Sequence, residues 1–175
     1  MDKFKEGLFG PTTVLLGICL FFAVALVFVN NTTAPVIALG RIEEANRVRA
    51  EVFAGCETFD EIKGVTLPDG VSEAYRASNG EGYVFRSAAK GFDGEVTFII
   101  GIDKNGSVTG INMFEHNETP GLGSKIGDPE FLKKWMGDAD PSVVDGITGA
   151  TRTSTALRNA LLQAKGAYEI VKEAA

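Results

Sequence analysis

The sequence predicts an α+β protein: one N-terminal transmembrane helix, then a small domain with an antiparallel sheet and packed helices, including a long C-terminal helix. Three observations predict it. An uncharged apolar run lies near the N-terminus, a central region has a hydrophobic period of two, and the last stretch has a period near that of a helix. The 175 residues are 45% hydrophobic and 23% charged, enough to bury a core, which excludes a disordered or fibrous chain. A net charge of −6, from 17 Lys and Arg against 23 Asp and Glu, argues against nucleic acid as a partner, because phosphate-backbone binding needs clustered positive charge.

No residue from Gly7 to Gly40 is charged, and Val14 to Val29 is continuously apolar apart from Gly17. Pro11 to Asn30 counts 20 residues, a helix of about 30 Å, which matches the hydrocarbon thickness of a bilayer. A cleaved secretory signal is the competing reading, since Lys3 and Lys5 precede the run. The apolar core is longer than a signal core, and Ala34 and Ala38 lie beside Pro35 in sequence that turns helical again, so an uncleaved anchor fits better. Lys3 and Lys5 stand close to the apolar run, whereas Arg41 is 11 residues past Asn30, a bias toward N-terminus inside and main domain outside. Cys19 would then lie in lipid and Cys56 in water, too far apart for a disulfide. Two cysteines also cannot ligate an iron–sulfur cluster or a four-cysteine zinc site within this sequence.

Beyond Pro35, Val36 to Phe53 places Ile37, Leu39, Ile42, Ala45, Val48 and Val52 at mostly helical spacings, an amphipathic helix continuing from the membrane. Then the period changes. Segments starting at Gly82, Gly94 and Gly106 alternate apolar with other residues and are separated by the turn-like KGFDG and DKNGS, predicting three antiparallel strands. In the middle strand Val96, Phe98, Ile100 and Ile102 share the face that a helix or second sheet would cover. Pro129 suits the first turn of a short helix. From Thr151 onward, Leu157, Ala160, Leu161, Ala164, Tyr168 and Val171 form an inward stripe, with Arg158, Gln163, Lys165 and Lys172 looking out.

Two segments ask for more than structure. Asp145-Gly-Ile-Thr148-Gly149-Ala150-Thr151-Arg152 sits immediately before the C-terminal helix. Free backbone N–H groups and the helix dipole favour an anion there, a phosphate above all, and Gly149 would let a large ligand approach. Capping of the helix by Thr148 or Thr151 is the plainer alternative, and residue types alone leave both open. The other segment, His116-Asn-Glu118-Thr119-Pro120-Gly121-Leu122-Gly123, follows the third strand. Pro120-Gly121 sets a type II turn. The polar residues before it and Gly-Leu-Gly after it resemble a ledge for a flat ligand. His116 invites a catalytic or metal role, but a single His with no nearby Cys or second His is a poor metal site.

The strings HNETPGLG and DGITGAT, in this order and about 20 residues apart behind one apolar N-terminal helix, resemble the family of the G subunit of the Rnf ion-translocating electron-transport complex. The related C subunit of the sodium-pumping NADH:quinone reductase shares the FMN-binding domain. The resemblance covers essentially the whole chain. It implies one FMN per chain, joined through its phosphate to the hydroxyl of Thr151 by a dedicated flavin transferase, with Thr153 the nearest rival acceptor. Glu118, Thr119, Leu122 and Gly123 would line the flavin, while Thr148, Gly149 and Ala150 would shape the phosphate end. Arg152 is a further candidate for the phosphate, and Asp145 belongs to the motif either as a contact to FMN or as a residue that serves the transferase. On this reading the segments are a cytoplasmic tail (1–10), a transmembrane helix (11–30), a juxtamembrane amphipathic helix (31–55) and an extracytoplasmic FMN-binding domain (56–175). The implied function is an electron relay in the cytoplasmic (inner) membrane, between ferredoxin and NAD, coupled to Na+ or H+ movement, as a non-autonomous subunit of a translocating oxidoreductase. No catalytic side chain and no metal are implied. Membrane lipid and other subunits, some carrying iron–sulfur clusters or a second FMN, are the implied partners. The alternatives are a component like the C subunit of the quinone reductase, a stand-alone anchored FMN carrier, or a cofactor-free tethered binding module.

Overall fold

The computed structural model describes the backbone of residues 2–174, and the side chains of that span except those of 2–10, 38, 39 and 174. The side chains of Lys3, Lys5, Ala38 and Leu39, which bear on the anchor and the helix after it, therefore lie outside the described residues. The chain divides into two compact units, residues 1–44 and 45–175.

Helix α1 runs from Asp2 to Val52. Its apolar part is long and hydrophobic enough to cross a membrane, and it is the one such span among the described residues. Val14, Leu16, Phe21, Phe22, Leu26 and Phe28 are each more than half exposed, the arrangement that suits lipid and not water. Thr32 and Thr33 return their hydroxyls to the carbonyls of Phe28 and Val29, so both are satisfied within the helix.

In the second unit five strands form an antiparallel meander in sequence order: β1 Phe59–Glu61, β2 Val71–Ala77, β3 Gly82–Lys90, β4 Glu95–Asp103 and β5 Val108–Glu115. The last three are the strands the alternation predicts. The first two extend the sheet beyond that expectation. Helix α2 (Pro129–Leu132) starts at the predicted proline and continues as a 3-10 turn over Lys133–Trp135, and α3 (Thr151–Ala174) closes the chain.

Both faces of the sheet are covered. Register pairs Tyr83 with Ile102, Phe85 with Ile100, Ser87 with Phe98 and Ala89 with Val96, which puts these side chains on one face. Against that face packs the inward stripe of α3, whose Leu157, Ala160, Leu161, Ala164, Tyr168 and Val171 are all buried with the sheet residues in one core. Gln163 departs from the expected outward face: its Oε1 accepts a 3.0 Å hydrogen bond from the Ser87 hydroxyl, which matches the one buried polar group on that side of β3.

On the opposite face Val84, Ile99 and Ala77 meet Val48, Val52, Phe53 and Cys56 in a second, smaller core. The final turns of α1 can lie on the sheet because Gly101 and Gly110 pair side by side there. A Cβ on Gly110 would come within 2.6 Å of Val52 Cα. Thr109 Oγ1 donates to the Val52 carbonyl at 2.8 Å and so satisfies one of the free C=O groups at the helix end. Arg49, buried in this layer, donates to Glu73 at 3.0 Å and stacks 3.8 Å over the Tyr75 ring.

Candidate functional site

The site lies where three loops converge at one end of the sheet. The β3–β4 turn spans Gly91 to Gly94 and is closed by the Gly91 N–H donating to the Gly94 carbonyl at 2.8 Å. After β5, the Leu122 N–H donates to the Thr119 carbonyl, which makes Thr119-Pro120-Gly121-Leu122 a turn with Gly121 at φ +76°, as type II requires. The third loop leads into α3 through Gly149, at φ +86°, a conformation that L side chains rarely adopt. Arg158 holds this loop by donating to the carbonyls of Pro141 and Val144, and Lys165 by donating to that of Ala139.

Together these loops enclose a cleft of about 250 Å³ lined by Phe92, Glu118, Thr119, Leu122, Gly123 and residues 149–153. Leu122 and Phe92 are both exposed apolar side chains, and Ala150 is buried beside them. That volume is below the span typical of an enclosed site for a drug-sized ligand. A flat aromatic group could therefore insert with one edge left in solvent.

At its centre is a buried carboxylate. Glu118 is 4% exposed. Its Oε2 accepts a 2.9 Å hydrogen bond from the Thr153 hydroxyl, and its Oε1 accepts from the backbone N–H of Phe92 at 2.7 Å and more weakly from that of Asp93 at 3.4 Å. The chain around it is cut to fit: a Cβ on Gly123 would stand 2.5 Å from Glu118 Oε2, and one on Gly91 would strike Oε1. Three donors supply what a carboxylate removed from water needs.

The start of α3 distinguishes the hydroxyls that the sequence leaves undecided. Thr153 is buried, at 1% exposure, with its proton given to Glu118. Ser154 is buried as well, donating to the Ala150 carbonyl and accepting from the Ile147 N–H at 3.1 Å, which makes it the residue that ties the loop to the helix. Thr151 is exposed, and its hydroxyl has no hydrogen-bond partner among the described residues. The expected alternative of side-chain capping by Thr148 or Thr151 is absent there too. The backbone N–H groups of residues 151–153 remain without acceptors among the described residues, as the first turn of a helix leaves them, and in the same wall the exposed Arg152 guanidinium has no ion partner among those residues. Exposed hydroxyl, free amides and cation meet the requirements of a phosphate group.

Of the residues singled out from sequence, the fold brings Glu118, Thr119, Leu122, Gly123, Gly149, Ala150, Thr151, Arg152 and Thr153 to the cleft. Thr148, Asp145 and His116 are exposed and outside its lining. His116 instead orders the loop, its Nδ1 accepting from the Glu118 N–H at 3.2 Å. No cluster of His, Cys, Asp and Glu suited to a metal occurs among the described residues. Phe92 is the lining residue that the sequence reading missed. Its signal was an aromatic residue in the tip of a tight turn, where polar residues are the rule.

Residues 91–165, from the β3–β4 turn to the middle of α3, match the FMN-binding domain family. The G subunit of the ion-translocating oxidoreductase complex of Methanosarcina acetivorans is 30% identical over 86% of this chain and 90% of its own length. The G subunit of the proton-translocating ferredoxin:NAD(+) oxidoreductase complex of Clostridium ljungdahlii is 25% identical over 99% of this chain and 92% of its own. Among solved structures, Shewanella oneidensis NqrC aligns with a TM-score of 0.47 at 20% identity, over 70% of this chain and 77% of that one. With such identity to the first two sustained along nearly the whole of both chains, this chain belongs to the family of G subunits of ion-translocating oxidoreductase complexes.

Proposed function

We propose that this chain is the electron-relay subunit of a membrane Rnf-type complex, carrying one FMN attached by a phosphodiester to Thr151 and passing electrons between ferredoxin and NAD in step with Na+ or H+ movement. The observation that carries the reading is the contrast at the start of α3: Thr151 presents a free, exposed hydroxyl beside unpaired amides and Arg152, while the neighbouring Thr153 and Ser154 are buried and hydrogen-bonded. Attachment would join the Thr151 oxygen to the flavin phosphorus as that oxygen displaces the leaving group of an activated FMN donor, the hydroxyl proton going to the departing group; a flavin transferase would perform it, and the chain gains one FMN less one water.

When bound, the flavin supplies the ability to accept one electron or two, and so links pair carriers to single-electron carriers. The chain's own residues bind and orient it. The amides of residues 151–153 and Arg152 hold the phosphodiester charge. Leu122 and Ala150 give the ring an apolar wall, and Gly149 keeps that approach open because a Cβ there would meet Leu122 at 3.3 Å. Helix α1 anchors the domain to the bilayer with its N-terminus inside, the orientation favoured by Lys3 and Lys5. The two cysteines of this sequence are too few for an iron–sulfur cluster, so those centres would reside in partner subunits.

The test is the intact mass of the protein produced with and without the flavin transferase, followed by peptide mapping around Thr151. The reading expects a gain of one FMN less one water on Thr151, lost in Thr151→Ala and retained in Thr153→Val. An unmodified, colourless product from a transferase that is active on another substrate overturns it in favour of a tethered binding module.

A further inference from the structure

Phe92 is 64% exposed at the tip of the β3–β4 turn, and it lines the same cleft as Leu122, 45% exposed. The two come from different loops. A large apolar side chain held in water at a cleft is poised for a ligand surface, and for an aromatic ring that surface is another flat π-system. The turn is not free to choose this position. Glu118 Oε1 accepts from the Phe92 N–H at 2.7 Å, and the glycine at position 91 leaves the room in which that carboxylate oxygen lies.

We infer that Phe92 is a cofactor-facing wall that stacks on the flavin ring, and that Glu118 is the positioning residue that holds Phe92 there through the backbone of the turn. The inference rests on the FMN reading of the cleft and adds to it a residue outside both sequence motifs, together with a mechanical role for the buried carboxylate. The role is separable from an electrostatic one. A glutamine at 118 can turn its Oε1 to the Phe92 N–H and its amide N–H to the Thr153 oxygen, so it keeps both contacts and loses the charge.

The full-length chain in detergent, made together with the flavin transferase, is tested by intact mass, by flavin emission before and after protease digestion, and by iodide quenching of that emission. Stacking of the flavin on Phe92 covers one face of the ring and shields its emission from iodide. Phe92→Ala is expected to keep the mass gain on Thr151 while the ratio of stacked to free ring falls about threefold to tenfold, read as emission more accessible to iodide. Phe92→Trp keeps the shielding and dims the emission, because an indole stacked on the ring donates an electron to the excited flavin. Glu118→Ala reproduces the iodide access of Phe92→Ala and Glu118→Gln retains that of the wild type. A Phe92→Ala protein that is flavinylated and shows wild-type emission and iodide access overturns the stacking role, and since Phe92 is a surface residue the variant does not depend on refolding a core. Loss of shielding from iodide in Glu118→Gln overturns the positioning role. A wild-type chain that acquires no flavin overturns the FMN reading and this inference with it.

Discussion

Replacing Gly110 by alanine tests the seat of the last turns of α1 on the sheet. The added methyl would lie 2.6 Å from Val52 Cα and 2.8 Å from its carbonyl carbon, both backbone atoms, so no side-chain rotation relieves it. Overpacking of this kind costs about 1–3 kcal/mol, and an obstructing backbone puts it near the top of that range. If the helix end lifts, the Thr109 hydrogen bond to the Val52 carbonyl is lost as well, about 1 kcal/mol. Against this, alanine in a strand is better than glycine by about 0.5–1 kcal/mol. The net expectation is a loss of about 3 kcal/mol, a large fraction of the stability of a domain this size. Urea unfolding of the full chain in detergent reads it through Trp135, the single tryptophan, buried in the larger core. Thr109→Val removes only the hydrogen bond and should cost about 1 kcal/mol. A Gly110→Ala loss below about 0.5 kcal/mol would refute the close seating of the helix end.

Other perturbations separate the site from its support. Leu161→Ala, at a fully buried position of α3, should cost about 2–5 kcal/mol in the same unfolding assay while leaving any Thr151 modification in place. Thr153→Val leaves the buried Glu118 carboxylate without its hydroxyl donor and should destabilise by about 1–3 kcal/mol, read by the midpoint of Trp135 emission. Tyr75 titrates above the ordinary tyrosine range, because burial disfavours its phenolate more than the Arg49 charge favours it. Its folded pKa exceeds the unfolded one, so the stability it contributes is present below the ordinary tyrosine pKa and falls as pH rises through the folded value. Phenolate absorbance recorded through an alkaline titration of the folded and urea-unfolded chain checks the order of the two midpoints.

The strands β3 to β5 are legible because alternate residues supply the face that α3 covers, and the inward stripe of α3 because the helix buries a single face against that sheet. β1 and β2 are less so. β1 has three residues, and β2 carries a register shift between Val71 and Glu73, so its alternation reads as VSEAYRA and does not stand out from the polar stretch around it. Ile99 explains another gap: it lies opposite the Val96 face and is 2% exposed, because β4 is covered on both sides. An alternating pattern gives no sign of a second layer where the sheet positions beneath Val52 are Gly101 and Gly110, which carry no side chain. At the site, the motif residues are readable because they are close in sequence. The Glu118–Thr153 contact joins residues 35 apart and the Glu118–Phe92 contact residues 26 apart. No local spacing encodes either, and they are what separates a buried hydroxyl from a free one.

The shape of the cleft bears on why a covalent link would matter. A volume of about 250 Å³ bordered by exposed Phe92, Leu122 and Thr151 leaves much of a flavin in solvent. Holding a ligand in one place gives up translational and rotational freedom, a cost that limited burial recovers poorly. A phosphodiester to Thr151 would remove that cost by making docking of the ring intramolecular, at an effective concentration in the millimolar range for a short flexible tether. Thr151→Ala should therefore still recognise free FMN but retain it weakly. Equilibrium dialysis of the variant against FMN is expected to give a dissociation constant no tighter than tens of micromolar, roughly −6 kcal/mol. Arg152→Ala should weaken it further by removing the phosphate's cation, whereas Phe92→Ala should weaken it through the ring. Nanomolar retention of FMN by Thr151→Ala would mean that the cleft closes around the ring far more than its open border implies, and that attachment serves something other than retention.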